Sequence, residues 1–401
     1  MKITNIETIA LRDNADGNVT SWNPAYGNSK DDTPASTGGY DITIVRVFTD
    51  EGITGIGQCE SPSLIIDAII KSSLGLENLL INEDPTQVRR LWQKMYNSTG
   101  VFGRRGVVIA AIGAIETALW DITGKYQKKP IHELLWKSFT TSASITETKK
   151  EVTPYATVYP PGNNLEEMES RINFAISKGF KAIKIEEWPG QFANVDRETD
   201  VSVIKKARSI LGENRDLMID VQNKWVDVGQ ALETIKYIEE FNIYFIEAPL
   251  PADNIYGYKK LVESTVIRIA AGDWGFTTRH EFSDLLSIGK LDVVQPSSVR
   301  AGGLEEILYI AENAYKFGSL CVPHTWCHVI GLAAELHIAA IVPNMPYFEF
   351  PLAFPKTPLV TDLLIPKINL LENGNIEVPN RPGLGFDLNE DVIKEYRVDP
   401  Y

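Results

Sequence analysis

The sequence predicts an α/β fold, a (β/α)8 TIM-type barrel joined to an α+β capping domain, from its length and two repeating patterns. With 401 residues, the chain suits a barrel of about 250 residues carrying a second domain. Between 152 and 350, short apolar runs alternate with amphipathic segments, as parallel strands alternate with helices. Three successive apolar runs also end in a carboxylate at nearly even spacing, at Asp220, Glu247 and Asp273.

Eight strand-like runs account for the predicted barrel. They lie at 154–159, 182–186, 217–221, 244–248, 268–272, 292–296, 319–324 and 347–350. Amphipathic helices fit between them, for instance at 304–317, where Gly318 is a common helix stop. Eight alternating units make a closed barrel the simplest arrangement.

The rest of the chain predicts the capping domain. Strand and helix patterns in its N-terminal part lie at 2–12, 41–49, 53–58, 86–96 and 107–125. The polar loop 13–40 holds Trp22 and Tyr26, and we expect it to close over the site. The predicted domains are a capping domain at 1–136, a linker at 137–151, the barrel at 152–350 and a tail at 351–401 that returns to the cap.

Composition and charge exclude several classes of protein. The net charge of −14 argues against a nucleic-acid partner, and an anionic substrate would need local help from a metal ion, Lys or Arg. The three cysteines, Cys59, Cys321 and Cys327, are too few and scattered for a disulfide framework or zinc site, which favours a cytoplasmic protein. We find neither a signal-peptide core nor an 18-residue apolar run, so no membrane span is expected.

Polar side chains concentrate where the predicted strands end, which is where barrels carry their active sites. These residues are Lys184, Glu186, Asp220, Gln222, Asn223, Glu247, Asp273, Gln295, Ser297, Arg300, His324 and Glu349. Four tryptophans follow strands as well, and they predict apolar walls around a polar centre: Trp188, Trp225, Trp274 and Trp326.

The carboxylates Asp220, Glu247 and Asp273 indicate a metal site. Buried acids repel one another unless a cation lies between them, and a hard divalent ion such as Mg2+ prefers oxygen ligands. Each residue also has a simpler explanation when taken alone. A strand-end Asp is often a helix N-cap, His324 could be a satisfied core histidine, and Glu349 could be a rim charge. The tryptophans could simply fill the interface between barrel and cap.

Several segments together carry a family resemblance. They are 112–122, Gly179-Phe180-Lys181-Ala182-Ile183-Lys184, Ile246-Glu247-Ala248-Pro249, Ala270-Ala271-Gly272-Asp273, Gln295-Pro296, Arg300-Ala301-Gly302-Gly303, Pro323-His324 and Pro382-Gly383-Leu384-Gly385. Over nearly its full length, the chain resembles the mandelate racemase and muconate lactonizing enzyme branch of the enolase superfamily. The resemblance implies Mg2+ held by the three acids and removal of the proton α to a substrate carboxylate.

The resemblance also implies roles for the other strand-end residues. Lys184 would contact the substrate carboxylate, and His324 would be the general base. Glu349 would be the acid that, when protonated, donates to the enediolate oxygen. Removing the proton next to a carboxylate would leave a dianionic enediolate, and these charged groups would stabilise it electrostatically.

Two positions depart from the family pattern. Glu186 replaces a lysine that usually acts as a second base, and Ser297 replaces the aspartate that orients the histidine. A serine hydroxyl adds no charge, so His324 should be a weaker or differently oriented base. Gln222 stands where some sugar-acid dehydratases carry a histidine.

These features predict an Mg2+-dependent dehydratase that converts an aldonic or aldaric acid into a 2-keto-3-deoxy acid. A racemase, epimerase or cycloisomerase is the first alternative, in which Glu186 would act as the second base. A catalytically weakened barrel with a binding role is the second. We expect a small carboxylate substrate, a homo-oligomer, and substrate contacts from Gln222, Asn223, Ser297, Trp326, Trp22 and Tyr26.

Overall fold

The computed structural model describes residues 1–13, 40–136, 147–158, 165–186, 197–273, 275–325, 329–350 and 358–399. Trp22 and Tyr26 of the predicted lid lie outside the described residues, as do Trp188, Trp274 and Trp326. Positions 137–146 of the predicted linker are outside them too.

The capping domain is built on a four-stranded antiparallel sheet in the order β16-β1-β2-β3. Its strands are β1 (Ile3–Asp13), β2 (Tyr40–Thr49), β3 (Thr54–Cys59) and β16 (Arg397–Val398). The first and last of these pair directly, with Ala10 opposite Val398. The two ends of the chain therefore meet in one sheet.

Five helices complete the capping domain. They are α1 (Ser63–Lys71), α2 (Leu76–Leu80), α3 (Val88–Ser98), α4 (Val107–Gln127) and α5 (Ile131–Leu135). The longest, α4, is buried from Val108 to Gly124. It lies so close to β3 that a Cβ on Gly57 would come within 1.9 Å of the Ala114 carbonyl oxygen. Among the described helices α4 alone is long and apolar enough to cross a membrane, but 94% of its apolar window is buried inside the structure.

The barrel is an eight-stranded parallel sheet in the order β11-β10-β9-β8-β7-β6-β5-β12. Its strands are β5 (Pro154–Val158), β6 (Ala182–Glu186), β7 (Asp216–Asp220), β8 (Ile243–Glu247), β9 (Arg268–Ala271), β10 (Val293–Val294), β11 (Leu320–Cys321) and β12 (Phe348–Phe350). The helices between them are α6 (Leu165–Ser177), α7 (Arg197–Leu211), α8 (Val228–Ile238), α9 (Ile255–Val262), α10 (Arg279–Ser287), α11 (Leu304–Phe317) and α12 (Val329–Ala339). The predicted fold class is confirmed.

Strands β10 and β11 are shorter than their apolar runs predict. Prolines at 296 and 323 lack the backbone N–H that a continued ladder needs. The chain nevertheless stays bonded beyond the strands, because His324 N donates to Pro296 O at 3.1 Å. Because these strands end early, Ser297 and His324 lie outside the regular strand pairing.

The remaining elements join the barrel to the cap. They are β4 (Glu151–Val152), a 3-10 turn (Glu239–Phe241), α13 (Pro358–Thr361), β13 (Leu364–Ile365), β14 (Ile376–Glu377), β15 (Asp387–Leu388) and α14 (Glu390–Tyr396). Strand β4 pairs with β14, and β13 pairs with β15. The end of the predicted linker is thus a strand that binds the tail.

Two buried carboxylates fasten the cap to its neighbours. Glu116 of α4 accepts from the backbone N–H groups of Leu304 and Glu305, at 2.8 and 3.0 Å, at the start of α11. Asp121 accepts from Ile56 N at 3.1 Å and from Leu384 N at 2.9 Å. Glu116 thereby ties α4 to the barrel helix α11, and Asp121 ties α4 to β3 and to the chain that follows the barrel.

Candidate active site

Three of the predicted acids lie together on the rim formed by the strand ends. Asp220 ends β7 and Glu247 ends β8, and the register places them opposite each other. Asp273 follows β9, while Glu186 pairs with Asp220 from the other side. All of these side chains are buried, at 5% exposure or less. The parallel register therefore concentrates carboxylates at one end of the barrel.

Lys184 lies within this acidic cluster. Its Nζ is 2.6 Å from Glu247 Oε2, 3.0 Å from Glu349 Oε1 and 3.7 Å from Asp220 Oδ2. Burial alone would lower the pKa of Lys184, but Glu247 and Glu349 raise it well above its ordinary value. Lys184 is therefore a fixed cation suited to hold a carboxylate.

The donor set fits a hard cation. Glu247 Oε1 is buried with no hydrogen-bond partner among the described residues. Burial, followed by the charge of Glu247, raises the pKa of Asp220 well above its ordinary value. Both observations indicate that Lys184 alone does not balance the cluster.

In the described residues, the acids are not arranged as a complete metal-binding site. No group of three or more His, Cys, Asp or Glu side chains in the described part of the chain is arranged to hold a metal ion. Lys184 contacts both Glu247 and Asp220. Metal ligation by Asp220, Glu247 and Asp273 therefore stays a proposal that rests on donor chemistry and burial.

The backbone beside the acids is strained. Gln222, Asn223 and Ala248 have positive φ angles of 50°, 61° and 45°. Such conformations are costly for residues with side chains and concentrate at functional sites. A backbone bond of 2.6 Å from Asn223 N to Ala248 O ties the two turns together. The structure thus places the predicted residues Gln222 and Asn223 next to the acid cluster.

His324 is buried at the rim just after β11, with 7% exposure. Burial lowers the pKa of His324 to about 3; Glu349 opposes this shift and Arg300 adds to it. The imidazole is therefore neutral at physiological pH. A neutral imidazole is the form that accepts a proton.

Glu349 is held as an anion, although the family resemblance implies a protonated form. Thr157 Oγ1 donates to Glu349 Oε1 at 2.5 Å, and Thr325 N donates to Oε2 at 3.0 Å. Burial alone would raise the pKa of Glu349, but Lys184, His324 and these hydrogen bonds lower it to about 2. The arrangement favours an acceptor over a proton donor.

Ser297 faces a buried acid. Its Oγ lies 3.5 Å from Glu335 Oε1, and the same oxygen accepts from Ser298 N at 2.5 Å. Burial raises the pKa of Glu335 to about 8. Ser297, which stands after β10 where the family pattern has an aspartate, therefore contacts a carboxylate supplied by α12.

The cap contributes a charge to the same region. Glu60, just after β3, forms an ion pair with Arg300, and Glu60 N donates to Val299 O at 3.3 Å. Both charges act on the pKa of His324. Cap and barrel therefore meet beside the histidine.

Sequence reasoning missed Thr157, Thr325, Glu335 and Glu60. Glu335 had a signal, because it lies in a helix, Val329–Ala339, that is apolar apart from Glu335 and His337, and carboxylates are rarely buried. Thr157 lies near the end of the first strand, where no polar residue was considered. Thr325 and Glu60 carry no comparable pattern.

Comparisons with known proteins agree with this architecture. The model of the mandelate racemase / muconate lactonizing enzyme N-terminal domain matches residues 35–136, and that of the enolase C-terminal domain-like family matches 167–392. The chain is 31% identical over 365 residues to arabinonate dehydratase from Saccharolobus solfataricus, covering 89% of this chain and 91% of the relative.

Two further relatives are cycloisomerases by name. D-galactarolactone cycloisomerase from Agrobacterium fabrum is 29% identical, with 89% of this chain and 92% of the relative covered. The crystal structure of 3,6-anhydro-D-galactonate cycloisomerase from Zobellia galactanivorans superposes with a TM-score of 0.83 at 29% identity, covering 100% of both chains. These relatives are enzymes, so the hypothesis of a non-catalytic binding barrel is dropped. The chain belongs to the enolase superfamily, in its mandelate racemase and muconate lactonizing enzyme branch, and it is an enzyme of that family.

Proposed function

We propose that the enzyme removes the proton α to the carboxylate of an aldonic or aldaric acid and expels a β-hydroxyl as water. The observation that carries this proposal is the placement of two buried residues on one acidic rim: Lys184, in contact with Glu247 and Glu349, and His324. The dehydratase among the relatives supports the reaction class. The product would be a 2-keto-3-deoxy acid.

In this proposal, Lys184 binds a substrate carboxylate oxygen and orients it on the rim. Asp220, Glu247 and Asp273 would hold Mg2+, which when bound would act as a Lewis acid toward the same carboxylate. Burial strengthens these interactions because little water screens them.

His324 accepts the α proton at an imidazole nitrogen. The resulting imidazolium then donates that proton to the departing hydroxyl, which leaves as water. Glu349 stays an anion that holds Lys184 in place and stabilises the imidazolium. One histidine can therefore perform both proton transfers.

The predicted substrate contacts complete this assignment. Gln222 and Asn223 lie beside the acids, and Ser297 lies beside the histidine strand. We propose that they form hydrogen bonds with the substrate hydroxyl groups. Trp22, Tyr26 and Trp326 stay predictions from the sequence.

A cycloisomerisation is the second candidate, because two relatives carry that activity in their names. If the β-oxygen belongs to a ring, the same elimination opens the ring and loses no water. Racemisation would need a base on each face of the α carbon. Glu186 is then the candidate second base, buried next to Asp220.

The test is exchange of the substrate α proton with deuterium in D2O containing Mg2+, across a library of aldonic and aldaric acids. NMR should show Mg2+-dependent exchange or product formation with at least one acid. Product mass separates dehydration, which loses water, from isomerisation. Absence of exchange with every acid would contradict the proposal.

We also propose that the enzyme works in the cytoplasm as a homo-oligomer. Cys59 and Cys321 are free and buried, and burial raises the pKa of each thiol far above its ordinary value. Such thiols are poor disulfide partners, which suits a reducing compartment. Light scattering on the purified protein would test the oligomer.

A further inference from the structure

Glu335 is an acid in an apolar setting. It lies in the middle of α12, a helix whose residues are all buried, and its own side chain has 0% exposure. The described charged group that most affects its pKa is a second carboxylate, Glu349. Glu335 Oε2 has no hydrogen-bond partner among the described residues. Ionising a buried carboxyl of this kind is costly unless the charge is paired and hydrogen-bonded.

The contacts of Glu335 connect it, through neighbouring residues, to the backbone of His324. Glu335 Oε1 accepts from Ser298 N at 2.5 Å and lies 3.5 Å from Ser297 Oγ. Ser297 directly follows Pro296, whose carbonyl oxygen accepts from His324 N at 3.1 Å. One buried residue, Ser297, therefore lies between the acid and the backbone of the histidine.

A purely structural role would not require an acid here. A glutamine has the same shape, and its carbonyl oxygen could accept both hydrogen bonds from 297 and 298. It would also avoid burying an ionisable group. The acid at 335 thus offers something that the packing does not need, namely a negative charge once the pH rises through its pKa of about 8.

We propose that Glu335 is a positioning residue for His324 and acts through the Ser297 hydroxyl. Ser297 donates its hydrogen to Glu335, which leaves the serine oxygen to accept from an imidazole N–H. This orients the ring and stabilises the imidazolium that forms when His324 takes the α proton. The inference rests on the proposed function insofar as His324 is the base.

The charges around both groups define the expected pH dependence. His324 is influenced by Glu349, Arg300, Glu60 and Lys184. Glu335 faces Glu349 on β12 and Cys321 on β11, whose pKa rises through burial and then through Glu335. Because burial raises the pKa of Glu335 to about 8, its negative charge develops as the pH rises through that value. The basicity of His324, and with it kcat, should increase over the same range.

The test uses Glu335→Gln in the full-length protein loaded with Mg2+. The pKa of His324 is measured by NMR on histidine-labelled protein, with the His324→Asn spectrum identifying its signal among the five histidines. The variant should show a lower His324 pKa and a kcat reduced roughly 10- to 100-fold. KM should change little, and the rise in kcat near the pKa of Glu335 should disappear.

Glu116→Gln is the matched control. Glu116 is equally buried, and burial with the nearby Glu305 raises its pKa to about 8, but it binds the start of α11 at the domain interface. This variant should lower the melting temperature and leave both the His324 pKa and the pH profile of kcat unchanged.

A rescue variant separates charge from packing. Combining Ser297→Asp with Glu335→Gln places a carboxylate at residue 297, directly after the proline that bonds the His324 backbone. This double variant should restore the His324 pKa and the pH dependence of kcat. In the wild-type background, Ser297→Asp would place two carboxylates together and should not improve activity.

The outcomes decide the two proposals separately. An unchanged His324 pKa and pH profile in Glu335→Gln would overturn the role of Glu335, as would a loss of kcat that only follows a lower melting temperature. The NMR titration needs no substrate. A failure to find any substrate would therefore count against the proposed function and leave the test of Glu335 intact.

Discussion

Two sets of buried carboxylates in this molecule are satisfied in opposite ways. At the interface between the cap and the chain that follows the barrel, Asp121 accepts two backbone N–H groups and a hydrogen bond of 2.7 Å from Lys125. At the barrel rim, Asp220 and Glu247 depend on one lysine that Glu349 also contacts. Glu247 Oε1 has no hydrogen-bond partner among the described residues.

The difference separates stability from function. Interface acids have donors of their own, so removing one should destabilise the fold. Rim acids repel one another and can still bind a cation, so removing one should reduce activity more than stability. Sites prepared for ligands commonly keep such strain.

The largest expected effect is the loss of turnover in His324→Asn. Removing the proton acceptor should lower kcat by roughly 10²- to 10⁴-fold. Mg2+ affinity, measured by calorimetry, should stay close to wild type, because the acids of the rim are untouched. Full activity in this variant would show that the base lies elsewhere.

The next effect contrasts Asp121→Asn with Asp220→Asn. The interface variant places an amide N–H2 against donors that need acceptors, which should reduce the free energy of unfolding by about 1–3 kcal/mol. The rim variant removes a like charge next to Glu247 and keeps an oxygen for Gln222 N, which lies 2.9 Å from Asp220 Oδ1. Without metal, it should be as stable as wild type or more stable.

Urea unfolding of both variants without metal measures this contrast. Equal destabilisation by the two changes would break the distinction between the regions.

A smaller effect concerns pH and the interface residue His337. Its Nδ1 lies 3.1 Å from His132 Nδ1, and burial followed by His132 lowers the pKa of His337 to about 3. Unfolded histidine titrates near about 6.5, so the unfolded state binds a proton first as the pH falls. The stability from neutral His337 is present above that value and is lost as the pH falls toward about 3.

Unfolding free energies at about pH 7 and about pH 5 should therefore differ by up to about 1.4 kcal/mol per pH unit from this group. His337→Gln should reduce that dependence and leave the part that comes from His324, whose pKa burial also lowers to about 3. A wild-type stability that does not change over this range would contradict the neutral buried histidine.

The smallest effect comes from an exposed pair at the same interface. Arg89 of α3 lies 2.6 Å from Glu305 of α11, but the arginine side chain is 65% exposed. Arg89→Ala should change stability by less than about 1 kcal/mol, and less still at high salt. A larger loss would mean that surface pairs, and not buried acids, fasten the cap.

The sequence was sufficient to predict the barrel and the position of five polar residues at its strand ends. Asp220, Glu247 and Asp273 end evenly spaced apolar runs, and parallel strands necessarily bring such ends to one face. Lys184 and His324 could be located in the same way. These predictions depend on local patterns, which are readable in one chain.

Other features depend on packing between distant elements. Nothing in the pattern of α12 shows that Glu335 lies beneath Ser297, 38 positions away. The charge of Glu349 depends on Thr157, Thr325 and Lys184, which come from three other parts of the chain. Proton affinity is therefore a property of the assembled site.

The central claim is that the rim carboxylates Asp220, Glu247 and Asp273 can bind a divalent cation. Thermal unfolding of wild type and Asp220→Asn across a Mg2+ titration tests this most directly. The account predicts that Mg2+ raises the melting temperature of wild type in a saturable way and has no such effect on the variant. A wild-type melting temperature that does not respond to Mg2+, or an equal response in Asp220→Asn, would contradict it.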